Sequence, residues 1–274
     1  MPNFSIEPNS RVTYAIRAMT PSVVVVDKPS GVATQPGIGH ERSTLMSGLF
    51  ARFGPQLQKI GKARDFGLLH RLDKDTSGLV VVALTIDAYD RLREAFEQRE
   101  IKKFYWAIVL GGPNAERGVI KKPLLEYQGT PTSDRRQRDG GRTLKLAKVS
   151  SAGKPAITAY RVLQAGAAAS LVECRAVTGR LHQVRVHLAA IRCPILGDEY
   201  YGNVAARDNA PRLALHAHRV VLPPLAEGEP ELDVTSPFPK DLRKTLTKFG
   251  LARPDVGQVP TETSQPAEPD NDAP

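Results

Sequence analysis

Three polar segments of the sequence combine residue types that can perform acid–base or nucleophilic chemistry. The first is HRLDKDTSG (70–78), where Asp73 lies between Arg71 and Lys74 and apolar runs flank the segment on both sides. A carboxylate on a loop between buried elements is typical of catalytic sites, because the rigid elements fix the position of the loop. The alternative is a polar turn in which Asp73 and Asp75 accept backbone hydrogen bonds.

The second segment, VTGRLHQVRVHLAA (177–190), places a glycine before a basic, amphipathic stretch. A helix that begins after Gly179 would offer its N-terminus to an anion. His182 and Arg185 would then share one helix face. An arginine on a partly buried helix face usually has a carboxylate or phosphate partner, and the alternative here is a structural salt bridge.

The third segment, KKFYWAIVLGG (102–112), alternates like a β-strand. Phe104 and Trp106 fall on one face, and Tyr105 falls on the other. The residues two and four positions after Tyr105 are small, which leaves room for a flat group against its ring. The alternative is a core tyrosine whose hydroxyl is satisfied at the edge of the core.

Metal-binding patterns are missing from the sequence. His70, His182 and His187 occur in the polar segments, but no HExxH motif or acid-rich setting accompanies them. The two cysteines, Cys174 and Cys193, lie among apolar residues and have no CxxC or Cys/His spacing. We therefore expect no metal site, two buried free thiols and a reducing, cytoplasmic location.

Short strands dominate the elements that must position these segments. Apolar and β-branched runs predict strands at 22–28, 78–84, 103–109, 156–164, 169–177 and 212–222. Helical spacing predicts helices at 43–53, at 86–100 after a Thr85 cap, and at 181–190. With so few helices between the strands, we expect an α+β fold on a mixed, largely antiparallel sheet with flanking helices and loops, not a doubly wound one.

Composition divides the chain into an N-terminal extension (1–21), one domain (22–250) and an acidic, Pro-rich tail (251–274) that we expect to be disordered. Within the domain, residues 128–143 are polar, Gly-rich and basic, which predicts a mobile surface loop. No signal peptide core or membrane-spanning apolar run occurs, so we expect a soluble, cytoplasmic protein without membrane contact.

Charge is distributed unevenly along the chain. The formal net charge is +9, but five of the 29 acidic residues follow position 254, where no Lys or Arg occurs. The 38 basic residues therefore face 24 acidic ones in the remaining body, a net charge of about +14. Such a body favours a polyanionic partner, and the alternative is a basic protein that is merely soluble.

In this order, HRLDKDTSG (70–78), the K-x-Y-x-A-x-V-x-G pattern from Lys103 to Gly111 and TGRLHQVRVHLA (178–189) resemble the signature motifs of the RluA-type pseudouridine synthases. The resemblance covers about residues 22–240. Four further segments also resemble that family: VVVVDKPSGVATQPG (23–37), GKPAITAYRVL (153–163), CPILGDEYYG (193–202) and RLALHA (212–217). Leu181 departs from the family pattern, which often has a small residue there.

The resemblance implies an isomerase that converts uridine to pseudouridine in ribosomal or transfer RNA, without a cofactor or a metal. It implies that Asp73 is the catalytic carboxylate, that Arg185 keeps it ionised, and that Tyr105 stacks on the target uracil. A structured RNA is then the partner. We expect a monomer without an obligate protein partner.

Five further residues are expected to bind the substrate. The resemblance implies that Arg71 fills the space that a flipped base leaves in the RNA stack. His70, Lys74, Arg180 and His182 are the other predicted substrate-binding residues. Two alternatives remain open. A binding-only relative would not need the predicted catalytic set, and a glycosidase would need a second catalytic acid.

Overall fold

Apolar, β-branched runs form the centre of a nine-stranded sheet. The computed structural model describes residues 5–37, 39–129, 143–225 and 228–254. Its strands are β1 (Ala15–Met19), β2 (Val23–Lys28), β3 (Ser77–Ala83), β4 (Lys102–Leu110), β5 (Arg117–Lys121), β6 (Leu124–Gly129), β7 (Leu144–Val149), β8 (Ile157–Ala165), β9 (Ala169–Ala176), β10 (Leu215–Leu222) and β11 (Leu232–Thr235). Its helices are α1 (Leu45–Ile60), α2 (Ile86–Glu97), α3 (Gln183–Ala190), α4 (Val204–Arg207) and α5 (Arg243–Lys248), with 3₁₀ turns at Lys62–Gly67 and Lys240–Leu242.

The sheet order is β1-β2-β3-β10-β4-β9-β8-β5, and β11 pairs with β10 beside this path. The neighbouring strands are antiparallel except for β3 and β10, which are parallel. A separate two-stranded sheet contains β6 and β7. The predicted α+β fold with a mixed, largely antiparallel sheet is confirmed.

The β3–β10 pairing joins two halves of the sheet through only two positions, Ser77 with His216 and Gly78 with Ala217. Gly78 has a φ of 120°, and a Cβ atom there would clash with the backbone of Ala217. Only glycine therefore allows the two strands to approach this closely. The loop before β3 enters the sheet at this junction.

Threonine caps begin the first two helices. The side chain of Thr44 accepts a hydrogen bond from the amide of Ser47, and Thr85 accepts one from Ala88, as expected for N-caps. α1 continues to Ile60, past the predicted end at residue 53, although Phe53 has non-helical backbone angles. The extra turns form because Leu57 is fully buried in the core between α1 and the sheet.

The six predicted strands correspond to β2, β3, β4, β8, β9 and β10. β1 lies inside the predicted N-terminal extension and pairs with β2, so the sheet includes part of that segment. The predicted loop at 128–143 and the predicted tail fall mostly outside the described residues. Cys174 and Cys193 are free and buried, as predicted. Across the described ranges, every helix is too short or too polar to cross a bilayer.

Candidate active site

A cavity of about 840 Å³ opens beside the loop that precedes β3. All eight side chains that the sequence singled out line it, although they come from three distant segments. They are His70, Arg71, Asp73, Lys74, Tyr105, Arg180, His182 and Arg185. The structure therefore brings the three polar segments to one place.

The backbone around Asp73 is fixed on both sides. Thr34 donates its hydroxyl to the carbonyl of Leu72 at 2.7 Å and accepts the Leu72 amide at 3.2 Å. The buried ammonium of Lys28 donates to the carbonyl of Lys74 at 3.0 Å. Because both neighbours are anchored, the carboxylate of Asp73 has a defined position at the cavity wall, where its side chain is 22% exposed.

Arg185 connects Asp73 to a second carboxylate. Its Nη1 donates to Oδ2 of Asp73 at 3.1 Å, while Nε and Nη2 donate to the two oxygens of Asp198 at 2.9 and 2.8 Å. The guanidinium is buried and lies 5.2 Å from the ring centroids of Tyr200 and Tyr201. Such a fork can be made by arginine but not by lysine.

The charges in this group are stabilised by one another. Burial opposes the charge of Arg185, but its hydrogen bonds to Asp198 and the charges of Asp198 and Asp73 raise the pKa of Arg185. Burial also opposes the charge of Asp198, yet Arg185 and the amides of Tyr200 and Tyr201 lower the pKa of Asp198. Arg185 and Asp198 are therefore both ionised near neutral pH, which places a permanent cation beside Asp73.

Helix α3 is fixed against β8 by a polar network. Gln183 accepts from the Thr178 hydroxyl at 2.6 Å and donates to the carbonyl of Ile157 at 2.9 Å. His187 bonds through Nε2 to the carbonyl of Lys122 and through Nδ1 to Thr158. Since a carbonyl only accepts, Nε2 of neutral His187 carries the proton. These contacts fix the helix that presents Arg185.

His182 precedes α3 in a left-handed conformation with a φ of 53°, so the helix begins at Gln183 and not at the predicted residue 181. Its Nε2 lies 3.8 Å from Oδ2 of Asp73, and its Nδ1 lies 2.7 Å from the hydroxyl of Tyr201. Burial and the charge of Arg185 lower the pKa of His182, although Asp73 opposes them. His182 is therefore mainly neutral at pH 7, and its Nε2 lies just beyond hydrogen-bonding distance of Asp73.

Tyr105 reaches the cavity from β4 and is half-buried. Burial, with a further contribution from the charge of Asp73, raises the pKa of Tyr105. The phenol therefore stays protonated across the physiological range. Its position fits the predicted role as a flat surface for a base.

The remaining predicted residues differ in how free they are to bind a ligand. Arg71 and Lys74 are exposed at the cavity wall, and Arg180 donates Nε to the carbonyl of Pro155 at 3.1 Å. His70 accepts the amide of Val81 through Nε2 at 3.1 Å, and burial lowers its pKa to about 3. His70 can therefore offer only Nδ1 to a substrate.

Asp198, Tyr200 and Tyr201 were missed as site residues by the sequence analysis. They lie in the CPILGDEYYG segment (193–202), which resembled the family but gave no chemical reason to single out a residue. The available signal was an acidic residue directly after the apolar run PILG. A short polar turn on the surface would produce the same pattern.

Comparisons with known proteins identify the family of this chain. The family model described as RNA pseudouridylate synthase matches residues 22–190. "Pseudouridylate synthase RPUSD4, mitochondrial" from Xenopus tropicalis is 34% identical over 86% of this chain and 80% of its own length. "Ribosomal large subunit pseudouridine synthase D" from Nitrosomonas europaea is 37% identical over 82% of this chain, which spans 62% of that relative.

Two solved human structures have a similar fold. "Human RNA Pseudouridylate Synthase Domain Containing 4" is 28% identical, with a TM-score of 0.66 over 88% of this chain and 95% of that one. "Human RNA Pseudouridylate Synthase Domain Containing 1" is 26% identical, with a TM-score of 0.62 over 91% of this chain and 100% of that one. The family match and the relatives agree with the motifs and with the fold. The chain therefore belongs to the RNA pseudouridylate synthase family of RNA-modifying isomerases.

Proposed function

We propose that this protein converts specific uridines of large-subunit ribosomal RNA to pseudouridine, with Asp73 as the catalytic carboxylate. One observation carries the proposal: Asp73 lies in a cavity wall and forms a hydrogen bond with the buried cation of Arg185. The names of several relatives, such as the Nitrosomonas europaea protein, support ribosomal RNA over transfer RNA. Transfer RNA is the second candidate substrate.

Asp73 has the chemistry that this isomerisation needs. The bond from N1 of uracil to C1′ of the ribose breaks, a bond from C5 to C1′ forms, and the C5 proton is lost while N1 gains one. A carboxylate can attack or deprotonate the ribose, and it can stabilise positive charge at C1′. Arg185 keeps Asp73 ionised in a closed site, because a cation at hydrogen-bonding distance favours the charged form.

The cavity also has room and side chains to bind a uracil base that has left the RNA stack. A uridine inside a folded RNA must leave its stack before it can react, at a cost of a few kcal/mol. Tyr105 offers the flat face of a neutral phenol inside the cavity. Arg71 is an exposed side chain of the cavity wall and can fill the space that the base leaves in the RNA stack. His182 would direct an N–H toward Asp73 if Tyr201 donates to its Nδ1.

The same proposal includes a cytoplasmic monomer that acts on structured RNA without a protein partner. The two buried, free cysteines support a reducing compartment. Lys74, Arg180 and His70 belong to the proposed RNA-binding surface because they line the cavity beside Asp73.

The test is a pseudouridine-specific chemical label read by sequencing. Purified protein is incubated with unmodified large-subunit ribosomal RNA and, separately, with transfer RNA. We expect new pseudouridines at a few positions of ribosomal RNA with the parent, and none with Asp73→Asn. The matched control is Asp208→Asn, an exposed aspartate outside the cavity, which should retain full conversion. Conversion by Asp73→Asn at the parental rate would refute the role of Asp73, and conversion of transfer RNA alone would refute the ribosomal substrate.

A further inference from the structure

Lys103 faces the cavity but has no part in the proposed chemistry. It lies two residues before Tyr105 on β4, and both side chains line the cavity. Alternate residues of a strand share a face, so the two side chains leave the strand roughly 7 Å apart. A group bound at Lys103 would therefore be a close neighbour of a base stacked on Tyr105.

The ammonium of Lys103 lies 5.1 Å from the ring centroid of Phe96. Among the described residues, no carboxylate forms a salt bridge with this ammonium. Burial lowers the pKa of Lys103, and no neighbouring carboxylate raises it again. Gly179 lies beside the ammonium at the cavity wall, since a Cβ atom added there would be in ordinary van der Waals contact with it at 3.6 Å. A cation that is partly removed from water usually has an anionic partner, and here the cavity is where such a partner can bind.

Arg99 adds a second cation to the cavity wall, three residues after Phe96 in the chain. It has a φ of 61° directly after α2, and the amide of Glu100 donates to the carbonyl of Ala95 at 2.9 Å. This is the helix-ending geometry in which glycine is the favoured residue. Arginine is less stable than glycine in this left-handed conformation, so the helix ending alone gives no reason for an arginine here. Arg93 differs, because Glu97 neutralises it at 2.9 Å.

We propose that Lys103 and Arg99 bind a backbone phosphate of the substrate RNA, next to the nucleotide that stacks on Tyr105. The inference rests on the proposed function and adds the path of the RNA strand across the cavity. The RNA strand would run from the loop of Asp73 along β4 toward the end of α2.

A phosphate fits this place better than a nucleobase. Within the described ranges neither cation has a carboxylate partner, and two such cations suit a group that carries a full negative charge and only accepts hydrogen bonds. The adjoining ring of Phe96 is apolar and could not satisfy the donors and acceptors of a base edge. Phosphate contacts position nucleic acids without reading sequence, which suits a residue outside the reacting group.

The test measures RNA affinity across a salt series by fluorescence anisotropy, with a labelled, uridine-containing RNA of about ten nucleotides. For single strands, each phosphate contact contributes about −0.7 to the slope of log affinity against log salt. We expect Lys103→Met to make the slope shallower by about 0.7 and Lys103→Arg to preserve it. The control is Lys59→Met, an exposed lysine outside the cavity, which should leave the slope unchanged.

Arg99→Gly separates binding from folding. Glycine relieves the left-handed backbone, so the melting temperature should stay the same or rise. The salt slope should nevertheless become shallower, because the cation is lost. For both positions we expect KM to rise while kcat at saturating RNA stays within about twofold of the parent, since neither residue touches the reacting atoms.

A pH series gives an independent readout. Burial lowers the pKa of Lys103 to about 8, so raising the pH through 8 should remove its proton and weaken RNA binding by the parent. Lys103→Arg stays charged and should not show this loss. Besides Lys103, the cavity is lined by the charged and titratable side chains of His70, Arg71, Asp73, Lys74, Asp75, Arg93, Glu97, Arg99, Tyr105, Glu126, Lys145, Arg180, His182, Arg185 and Tyr200. Of these, His70 is already neutral, because burial lowers its pKa to about 3.

Several outcomes would overturn the inference. An unchanged salt slope in Lys103→Met, with conversion by the parent intact, would refute the phosphate contact and leave the proposed function standing. A large loss of kcat with an unchanged slope would assign Lys103 to the reacting nucleotide instead. If Lys103→Met does not fold, Arg99→Gly and the pH series of Lys103→Arg decide the matter. A parent that binds RNA but forms no pseudouridine would refute the proposed function and not the phosphate contact.

Discussion

Arg185 and Asp198 form a buried, bidentate ion pair, in which Nε and Nη2 of the guanidinium donate to the two carboxylate oxygens of Asp198. The pair leaves Nη1 as the group that reaches Asp73. One carboxylate therefore orients the arginine, and the arginine in turn orients the other carboxylate. Because lysine has no planar fork, this arrangement depends on the shape of arginine as well as on its charge.

We expect Arg185→Lys to lower the rate of pseudouridine formation by about a hundredfold or more, although the positive charge is kept. An ammonium can approach Asp73 or Asp198 but cannot present three fixed donors to both. RNA affinity should change by no more than about threefold. The measurement is single-turnover conversion beside RNA affinity. Equal losses of affinity and rate would instead make Arg185 an RNA contact.

Asp198→Asn should reduce both stability and turnover. Removing one partner of a buried ion pair typically costs about 3–5 kcal/mol, and here the buried charge of Arg185 would keep only the partly exposed Asp73 as a partner. The matched control is Asp241→Asn, whose carboxylate is paired with Arg212 but is 55% exposed. That change should cost about 1 kcal/mol or less. Urea unfolding of both variants checks the difference, and equal costs would contradict it.

Tyr201→Phe should loosen the connection between the β6–β7 sheet and the cavity. The hydroxyl accepts the amide of Ala147 at 3.0 Å and lies 2.7 Å from Nδ1 of His182, so its removal deprives two partly buried groups of this hydrogen-bond partner. We expect a loss of about 1–3 kcal/mol and faster hydrogen exchange at Ala147. Tyr127→Phe, on an exposed ring of the same sheet, is the control and should change neither quantity.

Acid should destabilise the protein below about pH 6.5. Burial lowers the pKa of His70 and of His216 to about 3, whereas an unfolded histidine has a pKa of 6.5. The unfolded state therefore binds more protons, and stability is lost as the pH falls from 6.5 toward 3. At pH 5 the loss is about 2 kcal/mol for each histidine, since one pKa unit corresponds to about 1.4 kcal/mol.

The check compares urea unfolding at pH 8 and pH 5 for the parent and for His70→Gln. The variant should lose about 2 kcal/mol less than the parent between the two pH values, because glutamine does not titrate in this range. His70 is suitable because its Nε2 accepts the Val81 amide, and a proton there would remove that bond. The same pH dependence in both proteins would show that His70 is not responsible.

The sequence predicts the central strands and the caps because those features depend on local chemistry. β-Branched runs define β2 and β3, and threonines mark the starts of two helices. β1 was not predicted, because an edge strand buries little of its surface. Its sequence, AIRAM, alternates between exposed and half-buried residues. Local pattern also placed the start of α3 two residues early, because the left-handed backbone of His182 has no sequence signal of its own.

The pairing of Asp73 with Arg185 joins residues 112 positions apart, and no periodicity encodes it. It was reached through a resemblance to a family and not from spacing. Asp198 could not be recognised in this way, because its importance depends on complete burial beneath Arg185. Whether a carboxylate is solvated or buried is decided by tertiary packing.

The narrow β3–β10 pairing has a mechanical consequence. Asp73 belongs to the β1-β2-β3 half of the sheet, whereas Tyr105 lies in the other half and Arg185 lies on α3, which packs against β8. The ion pair between Asp73 and Arg185 therefore spans the strand pairing that has the fewest paired positions in the described part of the sheet. A bending of the sheet at this pairing would separate the carboxylate from the arginine without unpairing a complete strand. The separation of Asp73 and Arg185 thus depends on the angle between the two halves, and an RNA that contacts both halves would hold the carboxylate and the guanidinium at hydrogen-bonding distance.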